Sequence, residues 1–450
     1  MRIRALLVLL FLLPASFCLS QNQEWFALSD FSYLVNVEDV QTDQEGNCYA
    51  AGKFQGEAAF QGGNAADSAI GHYTSEHWHK SFIAKYTSEG KISYVLILKS
   101  MYGNSDLTYI KGIKCLRNGD LLVALYCRGD FYFIDADGVK HDKLRHGLLR
   151  ISRDGKLVWS IPFPLGHYTM LEQDDQENIF IYTDEHRHYS DGDVFLFRLD
   201  GKGTIKDKTH AAKLSAVDMK FSHGKLWLIL RSHYDKQSKN FPLKTGEAGL
   251  FSVVYKDSVQ VSKHFSYPLQ TNDAVSMILN ENKGNMTVEM LAGIRQNTFT
   301  FAGKQFDRLT GEGLLMKIDH KGKLVRSRQF KGLSYYNYGL AAGTKGGVYL
   351  YTPVHKKIYF EETDSLFAEE HSSQYVQELF FFRLDKDYKV KWHVKGGGTA
   401  SNYHRSFIRP YKDSVYLISD LLDYGTFLGK YRSLKWKSGY YVEKMVEKTD

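Results

Sequence analysis

Tyrosine and histidine side chains recur at one position in a chain of 450 residues, shortly before a repeated turn. Counting back eleven residues from each of seven turns leads to Asn36, Tyr109, His167, Leu214, Ala274, Tyr336 and Tyr403. Four of these seven are aromatic or imidazole side chains. Flat rings with polar edges stack and hydrogen-bond with little loss of rotamer freedom. These residue types suit a sugar or an aromatic peptide side chain as ligand.

Neighbouring residues extend the pattern, and the candidate ligand-binding set is Tyr109, His167, Tyr168, Tyr336, Tyr338, Tyr403, His404 and Arg405. The same Tyr and His rings have a structural alternative, in which they fill a tapering central space. A shift of one residue in strand register would also move a side chain from the channel to the core.

Metal binding has weak support in the sequence. Histidines cluster at His72, His77 and His79 and again at His186 and His188, but nothing fixes the remaining ligands and second shell that zinc requires. We therefore expect loop histidines, with no metal or other cofactor. The stretch 135–138 lacks the later ligands of a calcium loop and is typical of a turn.

Catalytic motifs with a local signature are absent from the sequence: there is no G-x-S-x-G, H-E-x-x-H, P-loop or dinucleotide fingerprint. This does not exclude an enzyme, because catalytic groups can be assembled from distant parts of a chain without leaving a local motif.

The elements that would position these residues are short strands in seven similar units. In each unit a turn leads into an apolar strand, with the turns at 45–47, 118–120, 177–178, 223–225, 284–285, 346–347 and 413–414. A later strand carries a basic residue in most units, as in Phe82-Ile83-Ala84-Lys85-Tyr86. We expect these basic residues to be structural, as ion pairs between neighbouring units or as stems extended to the edge of a unit.

The repeat length predicts the fold. Six intervals separate Lys85 from Lys444, so each unit has about 60 residues, enough for four strands and their connections. The pattern predicts an all-β, seven-bladed β-propeller of four-stranded blades. The seventh unit stops after its third strand, and the stretch 23–28 resembles the fourth-strand text at 389–394. We therefore expect the N-terminal strand to complete the last blade, which removes two open sheet edges.

The first unit contains Gly46-Asn47-Cys48-Tyr49-Ala50-Ala51-Gly52-Lys53-Phe54, followed by the stretch 82–86 quoted above. It resembles the repeat unit of exported bacterial β-propeller-repeat proteins, and the resemblance extends over essentially the whole mature chain. It is weakest in the third and fourth units. The resemblance implies a propeller with a binding role and supplies no catalytic residues.

The N-terminus predicts export. Arg2 and Arg4 precede an apolar run over 5–13 and a small-residue stretch ending at Ser20, which is typical of a cleaved signal peptide. We expect a signal peptide at 1–20 and a single β-propeller domain at 21–450, secreted or periplasmic. No later stretch approaches the roughly 20 apolar residues of a spanning helix, so no membrane span is expected.

Charge and cysteine content narrow the partners. Without Arg2 and Arg4 the chain has 56 basic and 51 acidic residues, alternating in sign, so no nucleic-acid footprint is visible. Cys48, Cys115 and Cys127 lie in or beside apolar strands, which indicates small buried side chains, with a Cys115–Cys127 disulfide as the alternative.

These features favour a monomeric, non-enzymatic binding or interaction propeller. It would present a loop-rich channel face, with long connections at about 56–80, 235–249 and 361–377, to a protein or glycan partner. The alternative is a carbohydrate-active hydrolase or lyase using Tyr336, Tyr403, His404 and Arg405. A structural or adhesive surface protein is a third possibility.

Overall fold

The computed structural model describes residues 22–31, 34–62, 72–73, 80–101, 108–127, 129–166, 169–184, 193–232, 238–256, 258–268, 275–282, 285–294, 298–308, 312–332, 338–343, 346–354, 357–359, 365–367, 378–395, 406–427 and 430–446. Across these ranges the secondary structure consists of 36 β-strands, without a helix.

Seven antiparallel four-stranded sheets, the blades, follow one another around a central channel. The first strand is β1 (Asn22–Phe31). Blade 1 has β2 (Leu34–Thr42), β3 (Cys48–Gln55), β6 (Lys80–Tyr86) and β7 (Ile92–Ser100). Blade 2 has β8 (Thr108–Cys115), β9 (Leu121–Cys127), β12 (Gly147–Ile151) and β13 (Leu157–Pro162). Blade 3 has β14 (Thr169–Gln173), β15 (Ile179–Asp184), β16 (Val194–Leu199) and β17 (Ile205–Ala212).

The second half of the ring repeats this order. Blade 4 has β18 (Leu214–Ser222), β19 (Lys225–Ser232), β20 (Glu247–Tyr255) and β21 (Val259–Pro268). Blade 5 has β22 (Val275–Asn282), β23 (Asn285–Gly293), β26 (Gly313–Asp319) and β27 (Leu324–Phe330). Blade 6 has β28 (Gly339–Ala342), β29 (Val348–Val354), β32 (Glu378–Leu384) and β33 (Val390–Lys395). Blade 7 has β34 (Ser406–Tyr411), β35 (Ser414–Phe427), β36 (Lys430–Val446) and β1.

Short additional strands decorate this ring. They are β4 (Ala58–Ala59) and β5 (His72–Tyr73) beside β1, β10 (Phe131–Ile134) and β11 (Lys140–Leu144) beside β7, and the hairpins β24 (Thr298–Phe301) with β25 (Lys304–Asp307) and β30 (Lys357–Tyr359) with β31 (Ser365–Phe367). The predicted seven-bladed propeller of four-stranded blades is confirmed.

The N-terminal strand closes the ring, as the sequence predicts. β1 pairs antiparallel with β36 from Asn22 opposite Val446 to Phe31 opposite Ser438. Trp25 fixes this strand against blade 1, because its indole nitrogen donates to the carbonyl of Ser88 at 2.9 Å and its ring stacks on Tyr86. Phe31 is fully buried at the same interface. The strand therefore contributes both a sheet edge and core side chains.

The core consists of the spaces between blades. Among the described residues, seven clusters of buried apolar side chains each join two neighbouring blades, including the pair of blades 7 and 1. Both faces of a blade are thus covered, which explains why central strands such as β9 and β15 are buried along nearly their whole length.

An aspartate sets the hairpin turn of blade 1. Asp43 accepts the backbone N–H groups of Glu45 and Asn47 at 3.0 and 2.9 Å, and Gly46 between them has a φ of 84°. A Cβ on Gly46 would lie 2.6 Å from the ring of Tyr411 in blade 7, so this turn needs glycine for its conformation and its close packing.

Three of the recurrent basic residues of the third strands donate hydrogen bonds to the neighbouring blade. The ammonium of Lys85 donates to the carbonyl of Arg153 in blade 2 at 2.7 Å, and that of Lys444 donates to Ser88 in blade 1 at 2.9 Å. Arg150 donates in the same way to Gly201 in blade 3 at 2.8 Å. Each acceptor lies in the turn before the next blade's outer strand. A structural role is therefore present in these three blades, with a carbonyl and not a carboxylate as the neighbouring partner, whereas Arg198 and Lys317 form ion pairs within their own blades.

Cys48 and Cys127 are small core residues, whereas Cys115 is half-buried; the alternative of a Cys115–Cys127 disulfide is wrong because all three are free thiols. Cys48 and Cys127 are buried in the clusters between blades 7 and 1 and between blades 1 and 2. Burial raises the pKa of the Cys115 thiol well above its ordinary value, so this side chain is not a thiolate nucleophile at neutral pH.

Candidate functional site

The central channel has two different ends. The inner strands β2, β8, β14, β18, β22, β28 and β34 all begin at one end, which we name the connection end because the second strands also finish there and the third strands begin there. The inner strands finish at the opposite end, which we name the hairpin end because each turns there into its second strand.

Two of the eight predicted ligand-binding residues are within the described part of the chain. Tyr109 is half-buried in β8 at the connection end. Tyr338 directly precedes β28 and packs against the cluster between blades 5 and 6. The others, His167, Tyr168, Tyr336, Tyr403, His404 and Arg405, lie outside the described residues. Ligand binding at these positions stays a prediction.

Leu214 corrects the eleven-residue count. This position was expected at the channel, but Leu214 is 1% exposed in the cluster between blades 3 and 4. Its carbonyl accepts a hydrogen bond from Tyr182 at 2.7 Å. The connection between β17 and β18 is a single residue, so the inner strand of blade 4 begins directly at the core.

Half-buried polar residues surround Tyr109. We name them the Tyr109 cluster; its members are Glu38, Lys53, Tyr109, Lys111, Tyr126 and His146. The ammonium groups of Lys53 and Lys111 lie 4.8 and 5.5 Å from the centroid of the Tyr109 ring. The Tyr126 ring lies 6.5 Å from that of Tyr109, and His146 lies 6.2 Å beyond. The cluster spans blades 1 and 2.

Two β-bulges place charged residues in this cluster. The pairing of β8 with β9 shifts between Ile110 and Gly112, which leaves Lys111 as the extra residue. The pairing of β2 with β3 shifts in the same way at Glu38, which forms a 3.4 Å ion pair with Lys53. A bulge re-aims the side chain it carries. The arrangement offers ring edges, hydroxyl groups and ammonium groups, which can bind a polar and partly anionic surface.

Sequence reasoning found Tyr109 but not its neighbours. Lys53 comes from the second strand of one unit, whereas Tyr109 and Lys111 come from the first strand of the next. The spacing Tyr109-Ile110-Lys111 was a visible signal, because alternation alone would place both polar side chains on one face.

Aspartate side chains connect the inner strands around the channel. Asp39 accepts the N–H of Ile113 in blade 2 at 2.9 Å and a guanidinium N–H of Arg409 in blade 7 at 3.3 Å. Asp218 accepts the N–H of Leu279 in blade 5 at 2.6 Å. Burial raises the pKa of Asp218 to about 6. These carboxylates have structural partners, so we do not assign them a catalytic role.

A cavity of about 480 Å³ opens at the hairpin end. Residues of blades 1, 2, 3, 4 and 7 line it, and those that bear on its chemistry are Lys114, Arg117, Glu172, Lys220, Phe221 and Tyr411. This volume is in the range of small-molecule sites. The cavity lies at the end of the channel opposite the Tyr109 cluster.

Within the described residues, no group of three or more His, Cys, Asp and Glu side chains is placed to hold a metal ion. Within the same ranges no helix is long and apolar enough to cross a membrane. Of the clustered histidines, His77, His79, His186 and His188 lie outside the described residues.

Neither a protein-family model nor a curated protein matches the sequence. Solved structures are similar over most of the chain. A streptogramin B lyase is 12% identical, with 94% of this chain and 99% of that chain covered and a TM-score of 0.41. A member of the DUF4221 family from Bacteroides vulgatus is 10% identical, covering 79% and 99%, with a TM-score of 0.38.

Another similar structure is that of Drosophila Plexin A in complex with Semaphorin 1b, at 9% identity, 94% and 87% coverage and a TM-score of 0.42. The seven-bladed assignment depends on the strand pairing described above and not on these similarities.

Proposed function

We propose that this chain is a secreted or periplasmic, non-enzymatic binding propeller that recognises a glycan at the connection end of its channel. The observation that supports the proposal best is the Tyr109 cluster, in which two tyrosine rings and a histidine lie beside two ammonium groups. Rings with polar edges bind sugars by stacking and hydrogen bonding, and ammonium groups favour sugars that carry carboxylate or sulfate.

The rigid surroundings support the same role. Tyr109 and Tyr126 lie opposite each other on the paired strands β8 and β9, so little side-chain freedom would be lost on binding. The end of β3 and the start of β6 lie at this end, so the long connection at about 56–80 joins the fold beside the cluster. The basic, apolar and small-residue order of positions 1–20 supports export.

The experiment is binding of residues 21–450 to an array of neutral and acidic glycans. We expect saturable binding to acidic glycans that Lys111→Met weakens about tenfold or more, because a charge-assisted contact contributes on the order of 1.5–3 kcal/mol. Lys140→Met is the matched control, because Lys140 also lies 4.9 Å from a tyrosine ring, that of Tyr132, but in the hairpin outside blade 1.

Two outcomes would contradict the proposal. Absence of saturable binding to any glycan would exclude glycan recognition and direct attention to a protein partner. An equal loss in Lys111→Met and Lys140→Met would show that net charge, and not the Tyr109 cluster, governs the binding.

A further inference from the structure

The cavity at the hairpin end is a second site that the proposed function does not use. Its residues come from the last positions of inner strands, from Lys114 and Glu172 in blades 2 and 3 to Lys220 in blade 4. The Tyr109 cluster lies at the other end of the same strands. A ligand bound here would therefore not touch the proposed glycan site.

The acidic groups of the cavity are already engaged. Glu172 forms a 2.7 Å ion pair with Lys114. Asp43 accepts the N–H of Asn47 at 2.9 Å and its side-chain amide at 2.8 Å, besides the turn contact with Glu45. Arg117 forms an ion pair with the exposed Asp175.

Lys220 is different. Among the residues that the structure describes, its ammonium group has no hydrogen-bond or ion-pair partner, although the side chain is only half-exposed. Its charge acts inside the channel: burial raises the pKa of Asp218, and the Lys220 ammonium opposes that increase. Lys220 is thus a cation of the cavity lining that has no carboxylate at ion-pair distance among the described residues.

Two aromatic rings border the cavity and are held in place by their own contacts. Phe221 stacks on Phe180 with centroids 6.0 Å apart and planes 8° apart. Tyr411 donates its hydroxyl to the carbonyl of Gln44 in blade 1 and packs on the turn at Gly46. Rings fixed in this way offer an apolar wall at small entropic cost.

We propose that the hairpin-end cavity binds a small carboxylate that carries a ring, with Lys220 as the cationic partner of the carboxylate and Phe221, the next residue on β18, beside the ring. A ligand of about ten non-hydrogen atoms fits easily within about 480 Å³. The carboxylate gives the Lys220 ammonium an ion-pair partner, and hydrogen bonds between two charged groups are stronger than those between neutral groups.

The test compares phenylacetate with phenylacetamide, which has the same ring and nearly the same shape but no charge. Calorimetry or saturation-transfer NMR on residues 21–450 measures the affinity. We expect saturable binding of phenylacetate, at least about tenfold weaker binding of phenylacetamide, and a similar loss for phenylacetate with Lys220→Met. Lys220→Arg, which keeps the charge, should bind within a few-fold of the original chain.

Lys263→Met is the matched control, because Lys263 is an exposed lysine on the outer strand of the same blade. Equal binding of the acid and the amide, or unchanged binding in Lys220→Met, would overturn the proposal. Absence of saturable phenylacetate binding would also overturn it.

The carboxylate in such a ligand belongs either to a free acid or to the C-terminus of a peptide, so the tripeptide Gly-Gly-Phe is tested beside its amide. If the acidic tripeptide binds, the site also accepts the C-terminus of a peptide. If phenylacetate binds and the acidic tripeptide does not, the site is specific for free acids.

Failure here is distinguishable from failure of the proposed function, because Lys111→Met changes only the connection end. A chain that binds acidic glycans but not phenylacetate would retain the first proposal and lose the second.

Discussion

Asp39 shows at the scale of one residue how the ring is joined. Its carboxylate accepts the N–H of Val40 in its own blade at 2.7 Å and groups from Ile113 in blade 2 and Arg409 in blade 7. Three consecutive blades therefore meet at one side chain. A buried N–H that loses its acceptor costs about 1–3 kcal/mol, so an acidic residue beside the channel can be structural without any role in catalysis.

Glu443 is a residue whose charge opposes folding. It is 0% exposed on β36, and neither carboxyl oxygen has a hydrogen-bond partner among the described residues. Burial raises its pKa from 4.5 to about 8. The folded chain therefore holds a proton on Glu443 at pH values where the unfolded chain has released it.

The extra proton bound in the folded state determines how stability depends on pH. The native state binds more protons than the unfolded state between pH 4.5 and about 8, so stability falls as the pH rises through this interval. We expect Glu443→Gln, which stays neutral, to be more stable than the original chain at pH 9 by a few kcal/mol, since one pKa unit corresponds to ~1.4 kcal/mol. At pH 5 the two chains should differ little.

Urea denaturation at pH 5, 7 and 9 measures this difference, with the exposed Glu45→Gln as control. Parallel pH profiles for the original chain and Glu443→Gln would show that Glu443 is ionised in the folded protein.

At the scale of elements, β1 is the strand on which closure depends. It provides the outer edge of blade 7 and, through Trp25 and Phe31, part of the core between blades 7 and 1. We expect a chain that starts at residue 34 to lose several kcal/mol of stability, because loss of one buried aromatic side chain alone costs about 3–5 kcal/mol. A synthetic peptide of residues 22–31 should restore much of that stability by pairing with β36.

Thermal denaturation with and without the peptide tests this prediction. The control peptide carries Trp25→Ala, which removes the contacts with Ser88 and Tyr86. If both peptides restored stability equally, main-chain pairing with β36 would be sufficient for closure and the Trp25 side chain would not be needed. No loss of stability on deleting the strand would contradict its role in closure.

Sequence periodicity predicts elements better than it predicts sites. The likeness of stretch 23–28 to stretch 389–394, together with the missing fourth strand, was enough to predict the pairing of β1 with β36. The bulges at Glu38 and Lys111 could not be predicted, since a period of two does not mark an extra residue. Residue spacing does not give the contact of Lys53 with Tyr109 either, because it joins two blades. The burial of Leu214 depends on the single-residue connection between β17 and β18.

At the scale of the whole molecule, the described residues form a closed series of seven inter-blade clusters. The repeat of about 60 residues predicted this architecture because each unit is a complete blade. It could not predict which end of the channel holds a cavity. That depends on side chains from five blades, which meet only when the ring is closed.

Closure of the ring also affects the cooperativity of unfolding. In an open series each blade depends on its neighbours only, and terminal units can unfold first. In a closed ring no blade is terminal, because opening at one point removes an interface from both sides. We therefore expect blades 2 and 6, far apart in the sequence, to unfold in one transition.

Single-tryptophan chains test this expectation, with Trp159 on β13 or Trp392 on β33 retained and the other five tryptophans replaced by phenylalanine. The urea midpoints of the two fluorescence signals should coincide in the full-length ring. In the chain that starts at residue 34, blade 7 lacks its outer strand, so the Trp392 signal from the adjacent blade should change at lower urea than the Trp159 signal. Separate midpoints in the full-length chain would show that the blades unfold independently and that β1 does not couple them.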